Sequence, residues 1–235
     1  MSNLEFLDQN LHGQLRVDTR YGAEFGHATH LVPVMAVELP RLIAQCPVFL
    51  VKQPETGEFL LAAMTGFGAE ENLFLEGEAW TASYVPLHIR RGPFSVSQRE
   101  AEGQVFLAPQ INREDSRVGN AGEALFNPAG EATPYLAEMN SVLATLVDAG
   151  PKTKALVQSL VDNQLIEIVK LDVSFKDGSR MRFDNLYSIK QEAVLGLSAD
   201  KLAELNAVGH LRDAYFILAS LSQVSNLIDR KEASL

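Results

Sequence analysis

Leu136, Met139, Leu143, Leu146 and Val147 recur three and four residues apart, which places them on one face of a helix beginning at Pro134. Gly150-Pro151 is expected to stop that helix, because proline lacks the donor the next turn needs, with Leu156, Leu160 and Val161 carrying a second one. Two hairpins stand out. Val48 to Lys52 and Phe59 to Met64 flank the turn residues Pro54-Glu55-Thr56-Gly57. Leu165 to Phe175 and Met181 to Ile189 flank Lys176-Asp177-Gly178-Ser179, where Asp-Gly suits a positive φ.

Weaker patterns fill the rest. Gln14 to Val17 reads as a short strand, and Leu31 to Val37, which contains Pro33, as an edge strand. Glu38 to Gln45 can make a turn or two of helix, with Pro40 near its start. Phe94 to Val96 and Gln104 to Leu107 pair across the polar stretch Ser97 to Gly103. Ser198 is an N-cap with Asp200 in the first turn, Leu202 and Leu205 follow, and Gly209 ends the run. Leu211 to Ile228 reads as one final helix with a broad apolar face that includes Tyr215, Ile217, Leu218, Leu221 and Leu227. The expected class is α+β: a mostly antiparallel β-rich region over 1–111, a glycine-rich charged loop or linker over 112–130, and a helix–hairpin–helix region over 131–235. One continuous domain over 1–235 is the alternative.

Composition narrows the function classes. The 235 residues carry 20 Lys+Arg against 30 Asp+Glu, a formal charge of −10, which argues against a nucleic-acid binder. No apolar run approaches the roughly 20 residues of a membrane-spanning helix. The single cysteine, Cys46, excludes an intramolecular disulfide and a cysteine-built zinc cage, and its apolar neighbours predict burial. Met1 to Asn10 has no basic and no apolar stretch of a secretory signal, so the expected location is the cytoplasm, with surface export by another signal as the alternative. Gly-x-Gly-x-x-Gly, Walker, Gly-x-Ser-x-Gly and His-Glu-x-x-His motifs are all missing, and Gly66-x-Gly68 is followed by Glu at 71.

Three clusters could carry chemistry. His27 and His30, with His12 and Glu38, have the residue types of a metal site, although histidines beside a strand more often hydrogen-bond within the fold. Trp80, Tyr84, His88, Arg90, Arg91 and Phe94 fall in one segment. Guanidinium forks match a carboxylate or phosphate, and the rings offer an apolar anchor; pairing with the chain's own acids is the competing reading. The adjacent carboxylates Glu70 and Glu71 would act as acid and base only in environments that separate their pKa values. The last helix is expected to be core, with homo-oligomerisation as the alternative.

A series of short contiguous motifs runs along the chain: His12-Gly13-x-Leu15-Arg16-Val17, His30-Leu31-Val32-Pro33-Val34 with Glu38, and Cys46-Pro47-Val48-Phe49 in its first part. Glu71-Asn72-Leu73-Phe74, Trp80 with Tyr84-Val85-Pro86, and Ile89-Arg90-Arg91-Gly92-Pro93-Phe94 fall in the middle, and Gly209-His210-Leu211 and Ser220-Leu221 at the end. In the order and spacing of these motifs the chain resembles the SapC family of bacterial proteins over most of its length. Gly92 and Cys46 stand where the family commonly has tyrosine. The resemblance implies an accessory role linked to nutrient uptake or the bacterial surface layer, and brings no catalytic residues with it. The expectation is a binding protein without a cofactor, in which Arg90 and Arg91 hold an acidic group on a peptide, protein or small ligand. The rivals are a metal-dependent oxygenase or hydrolase using His27 and His30, and a structural surface-layer component.

Overall fold

A computed structural model describes residues 3–101 and 104–234, so Met1 and Ser2, Leu235, and Glu102 and Gly103 at the end of the expected polar link lie outside the described residues. Its elements in chain order begin with β1 (Leu4–Phe6), α1 (Gln9–His12), β2 (Arg16–Val17), β3 (Leu31–Pro33) and α2 (Leu39–Leu42). They continue with β4 (Val48–Lys52), β5 (Phe59–Met64), β6 (Leu75–Glu76), β7 (Ala79–Trp80) and α3 (Leu87–Arg90). Then come β8 (Phe94–Ala101), β9 (Gln104–Asn112), β10 (Val118–Gly119), β11 (Glu123–Ala124) and α4 (Pro134–Asp162). The chain ends with β12 (Ile166–Ser174), β13 (Arg180–Ile189), α5 (Gln191–Leu195), α6 (Ala199–Ala207), α7 (His210–Ser220) and α8 (Gln223–Ala233). The class is α+β.

Both expected hairpins form, and they join one five-stranded antiparallel sheet in the order β12-β13-β4-β5-β3. Tyr187 and Leu186 of β13 face Leu50 and Val51 of β4, which links hairpins more than a hundred residues apart in sequence. Pro33 lies on the edge strand, where its missing N–H costs no ladder bond. The main core gathers Phe49, Leu50, Leu61 and Met64 from this sheet, Leu39 and Leu42 of α2, and Leu205, Ile217 and Leu227 of the C-terminal helices. A second core forms where β1, β8 and β9 meet the start of α4 and holds Phe94, Ile111, Leu136, Met139 and Leu143.

Helix α4 ties the two cores together and corrects one expectation. It runs 29 residues through Pro151 without stopping. A mid-helix proline costs about 3 kcal/mol. That cost is offset because Leu136, Met139, Val142 and Leu143 are buried in the second core while Leu156 and Leu160 are buried in the main one. Just past the proline, the Thr153 hydroxyl donates to the Ala149 carbonyl and accepts from Ala36 N–H.

A second correction concerns the C-terminus, where the expected single helix is two, α7 and α8. Ser220 is fully buried, its hydroxyl donating to the Ile217 carbonyl and accepting from Val48 N–H. The next amides tighten to three-residue turns, Leu221 to Leu218 and Ser222 to Ala219, and the axis breaks there. Residues 112–130, read as loop or linker, carry β10 and β11, which pair with the two sides of β2. Gly122 adopts a positive φ of 97° there, and a Cβ on it would stand 2.2 Å from the Val17 carbonyl oxygen.

Candidate ligand-binding cleft

The short helix α3 sets the site. Glu38 is buried, and its carboxylate accepts from Leu87 N–H at 2.8 Å, from Met35 N–H at 2.7 Å and from the Tyr84 hydroxyl at 3.0 Å. This pins the start of α3, and Gly92, at φ 57°, turns the chain away after it. Burial raises the Glu38 pKa against the opposing pull of these bonds. Burial, then the Glu38 charge, pushes up the Tyr84 phenol. The Arg41 guanidinium lies 5.2 Å over the Tyr84 ring.

Beyond α3 opens a cleft of about 410 Å³, lined by Arg90, Arg117, His27, Tyr21, Tyr135 and Glu138, with Asp18, Arg20 and Glu123 also on its wall. Three segments distant in sequence meet here: the 17–27 loop, the end of α3, and the 117–139 stretch entering α4. Thr133 caps α4 through its hydroxyl, so Tyr135 sits in the first turn of a fixed helix. Gly92 leaves the Arg117 side uncovered, since a Cβ there would stand 3.6 Å from Arg117 Nη1.

The cations are partly committed. Arg117 grips Asp115 with two bonds, Nε to Oδ1 at 2.8 Å and Nη2 to Oδ2 at 2.7 Å, leaving Nη1 facing His27 Nε2 at 3.3 Å. Burial works upward on the Asp115 carboxyl, and the Arg117 bonds outweigh it and lower the pKa. Arg90 Nη2 donates to Glu138 Oε1 at 2.7 Å, a pair whose carboxylate is largely exposed. Arg20 pairs with Asp18 and Glu78.

His27 is the unusual member. Its residue is 5% exposed, and Nδ1 accepts from Gly22 N–H at 3.2 Å. A neutral imidazole has one acceptor nitrogen. With Nδ1 accepting, Nε2 carries the proton and points it at a guanidinium that can only donate. Protonation would make the clash worse. Burial, then the Arg117 charge, accordingly lowers the His27 pKa to about 4. Burial also raises the Tyr21 and Tyr135 phenols, and neither hydroxyl bonds to a described residue.

Of the six residues expected to bind a ligand, the structure places Arg90 on the cleft. Arg91 lies behind it, half-buried, donating from Nη1 to the Phe94 carbonyl at 2.6 Å; burial and the nearby Arg117 charge lower its pKa. Tyr84 is committed to Glu38, and Phe94 is fully buried in the second core. Trp80 stacks on Phe74 at 5.8 Å and donates to the Tyr84 carbonyl, touching the cleft only through Tyr21, whose ring is 6.1 Å away. His88, two residues before Arg90, points away to a different cavity.

The four residues considered for a metal do not come together. His12 bonds Glu5 at 3.0 Å, His27 faces Arg117, His30 bonds the Ala69 carbonyl, and Glu38 holds α3. Among the described residues no group of three or more His, Cys, Asp or Glu is arranged to hold a metal ion. Glu71 is a turn anchor: it accepts from Phe67 and Gly68 N–H and pairs with Lys231 at 2.7 Å.

The motif residues are thus largely wired to one another, with Asn72 completing the set by donating to the His27 carbonyl at 2.8 Å. They define an α+β protein built around one motif-bearing loop cluster and an adjoining arginine-lined cleft. The SapC family model matches residues 7–227, and the chain belongs to that family. No curated protein and no solved structure matches it. Arg117, Tyr21 and Tyr135 escaped the sequence reading; Arg117 lies in the stretch read as linker, and no local motif joins any of them to Arg90.

Proposed function

We propose that this SapC-family protein is a binding or accessory protein that recognises a carboxylate on a small molecule or peptide in the cleft beside Arg90, Arg117 and His27. The observation that carries this reading is His27, a neutral ring held between two groups that can only donate. A ligand oxygen near Nε2 and Nη1 accepts from both and turns a donor–donor contact into two charge-assisted hydrogen bonds. Arg90, in a solvent-screened pair, can exchange Glu138 for a ligand at little cost, and Tyr21 and Tyr135 supply further donors. The volume suits a ligand of modest size, within the range of small-molecule sites. Recognition, not turnover, fits a site whose titratable groups are already paired or held neutral.

The test is NMR titration with benzoate, succinate and inorganic phosphate, following the His27 ring and the arginine side-chain resonances. A carboxylate should saturate these shifts, bind more tightly as pH falls from 6.5 toward the free His27 value of about 4, and lose at least roughly tenfold in affinity in Arg117→Met. Saturable shifts that survive both Arg117→Met and Arg90→Met, or no shifts with any of the three, would overturn the reading.

A further inference from the structure

Helix α3 turns His88 away from the cleft, as a helix does for residues two apart. The ring lines a separate hollow of about 350 Å³ between α4 and the β3–β5 edge of the main sheet. Its floor is Val34, Leu61 and Val157, at 3%, 1% and 8% exposure, and Met35 and Phe59 wall it. The polar groups around it are spoken for. The Thr153 hydroxyl is bonded to Ala36 N–H and the Ala149 carbonyl, and at the rim Lys154 pairs with Glu58 at 3.0 Å. His88 is different: its ring makes no hydrogen bond to any described residue. Burial, then the neighbouring Arg91, lowers its pKa, so the imidazole it offers at neutral pH is uncharged. Gly150 presents bare helix backbone to the same space, and a Cβ there would meet nothing within 4 Å.

We infer that this hollow is a second binding site, for a neutral and mostly apolar small molecule whose single hydrogen-bonding group engages His88. Apolar walls with one convergent polar group match the general make-up of small-molecule sites. The class is neutral because the Lys154 and Glu58 charges at the rim cancel each other and, among the described residues, no other cation or anion lines the hollow. The inference stands apart from the carboxylate site, which shares neither walls nor ligand chemistry with it.

The probe is 4-ethylphenol, with ethylbenzene and 4-ethylbenzoate as comparators, titrated into the full chain and followed by the His88 ring and the Val34 and Val157 methyl resonances. The expected result is saturable shifts at these groups and binding of ethylbenzene roughly fivefold weaker, the share of one neutral hydrogen bond. His88→Phe should remove that difference. Gly150→Leu should abolish binding; leucine before Pro151 crowds the proline ring, so Val157→Phe, which fills the hollow from the helix side, is the second blocking variant. The inference fails if 4-ethylphenol gives no saturable shifts at these groups. It fails equally if binding persists in a folded blocking variant, or if 4-ethylbenzoate binds better than the phenol.

Discussion

Asn72 connects the family motif to the cleft, and its replacement by Asp is a one-atom test of that link. The amide is 8% exposed; Nδ2 donates to the His27 carbonyl at 2.8 Å and Oδ1 accepts from Phe74 N–H at 3.0 Å. In N72D the acceptor survives, but the donor becomes a second carboxylate oxygen against a carbonyl oxygen. Losing the bond and leaving the buried carbonyl unpaired costs about 1–3 kcal/mol. Adding an unpaired buried charge brings the total at neutral pH to roughly 3–5 kcal/mol. For a chain of this length that corresponds to a fall in Tm of about 6–20 °C, at roughly 2–4 °C per kcal/mol. The sign with pH is fixed. The new carboxyl prefers its neutral form in the fold, where it can again donate to His27, so its folded pKa is raised above the unfolded value near 3.9. Its contribution is then fully present below the unfolded value and is lost as pH rises through the folded one. Urea denaturation of both proteins across pH should show a gap that is small in acid and widens toward neutrality. A gap that is absent at neutral pH, or that does not change with pH, would refute the assignment of Asn72 as the clamp on His27.

Three further outcomes follow from the same geometry. His27, held near pKa 4 against an ordinary 6.5, makes the unfolded chain bind more protons between those values, so stability should fall as pH drops from 6.5 to 4. The upper bound is roughly 3 kcal/mol, and a His27→Gln variant lacking this slope in denaturation checks it. Arg90→Ala should change stability by less than about 1 kcal/mol, because its partner is solvent-screened; Arg91→Ala, which frees the Phe94 carbonyl, should cost more, and thermal melts of the two variants decide it. Cys46 is 4% exposed, and burial followed by the Glu38 charge raises its thiol to about 12, so a disulfide reagent should label it only at the rate of unfolding; fast labelling of the native protein would contradict this burial.

Much of the fold was legible in the chain. Hairpins such as Val48–Lys52 with Phe59–Met64 carry both strand periodicity and turn chemistry within a few residues, so local physics specifies them. Ser198 as a cap, Pro33 at an edge and Cys46 in the interior are likewise local consequences of donor count, ring geometry and polarity. The family resemblance was legible too, since its motifs are contiguous words. Tertiary structure decided the rest. Whether Gly150-Pro151 breaks a helix depends on two hydrophobic cores that hold its two ends, and no window around the proline contains them. Whether Leu211 to Ile228 is one helix or two turns on Ser220 meeting Val48, 172 residues away. The cleft is the clearest case. Arg90 was visible as half of an arginine pair, yet which of Arg90 and Arg91 reaches the cleft was set by the turn of α3, and its neighbours there, Arg117, His27 and Tyr135, come from segments with no shared pattern. Hydrophobic periodicity writes an element's inward face into its own sequence, whereas a site is assembled from whatever outward side chains the packing of those elements happens to bring together.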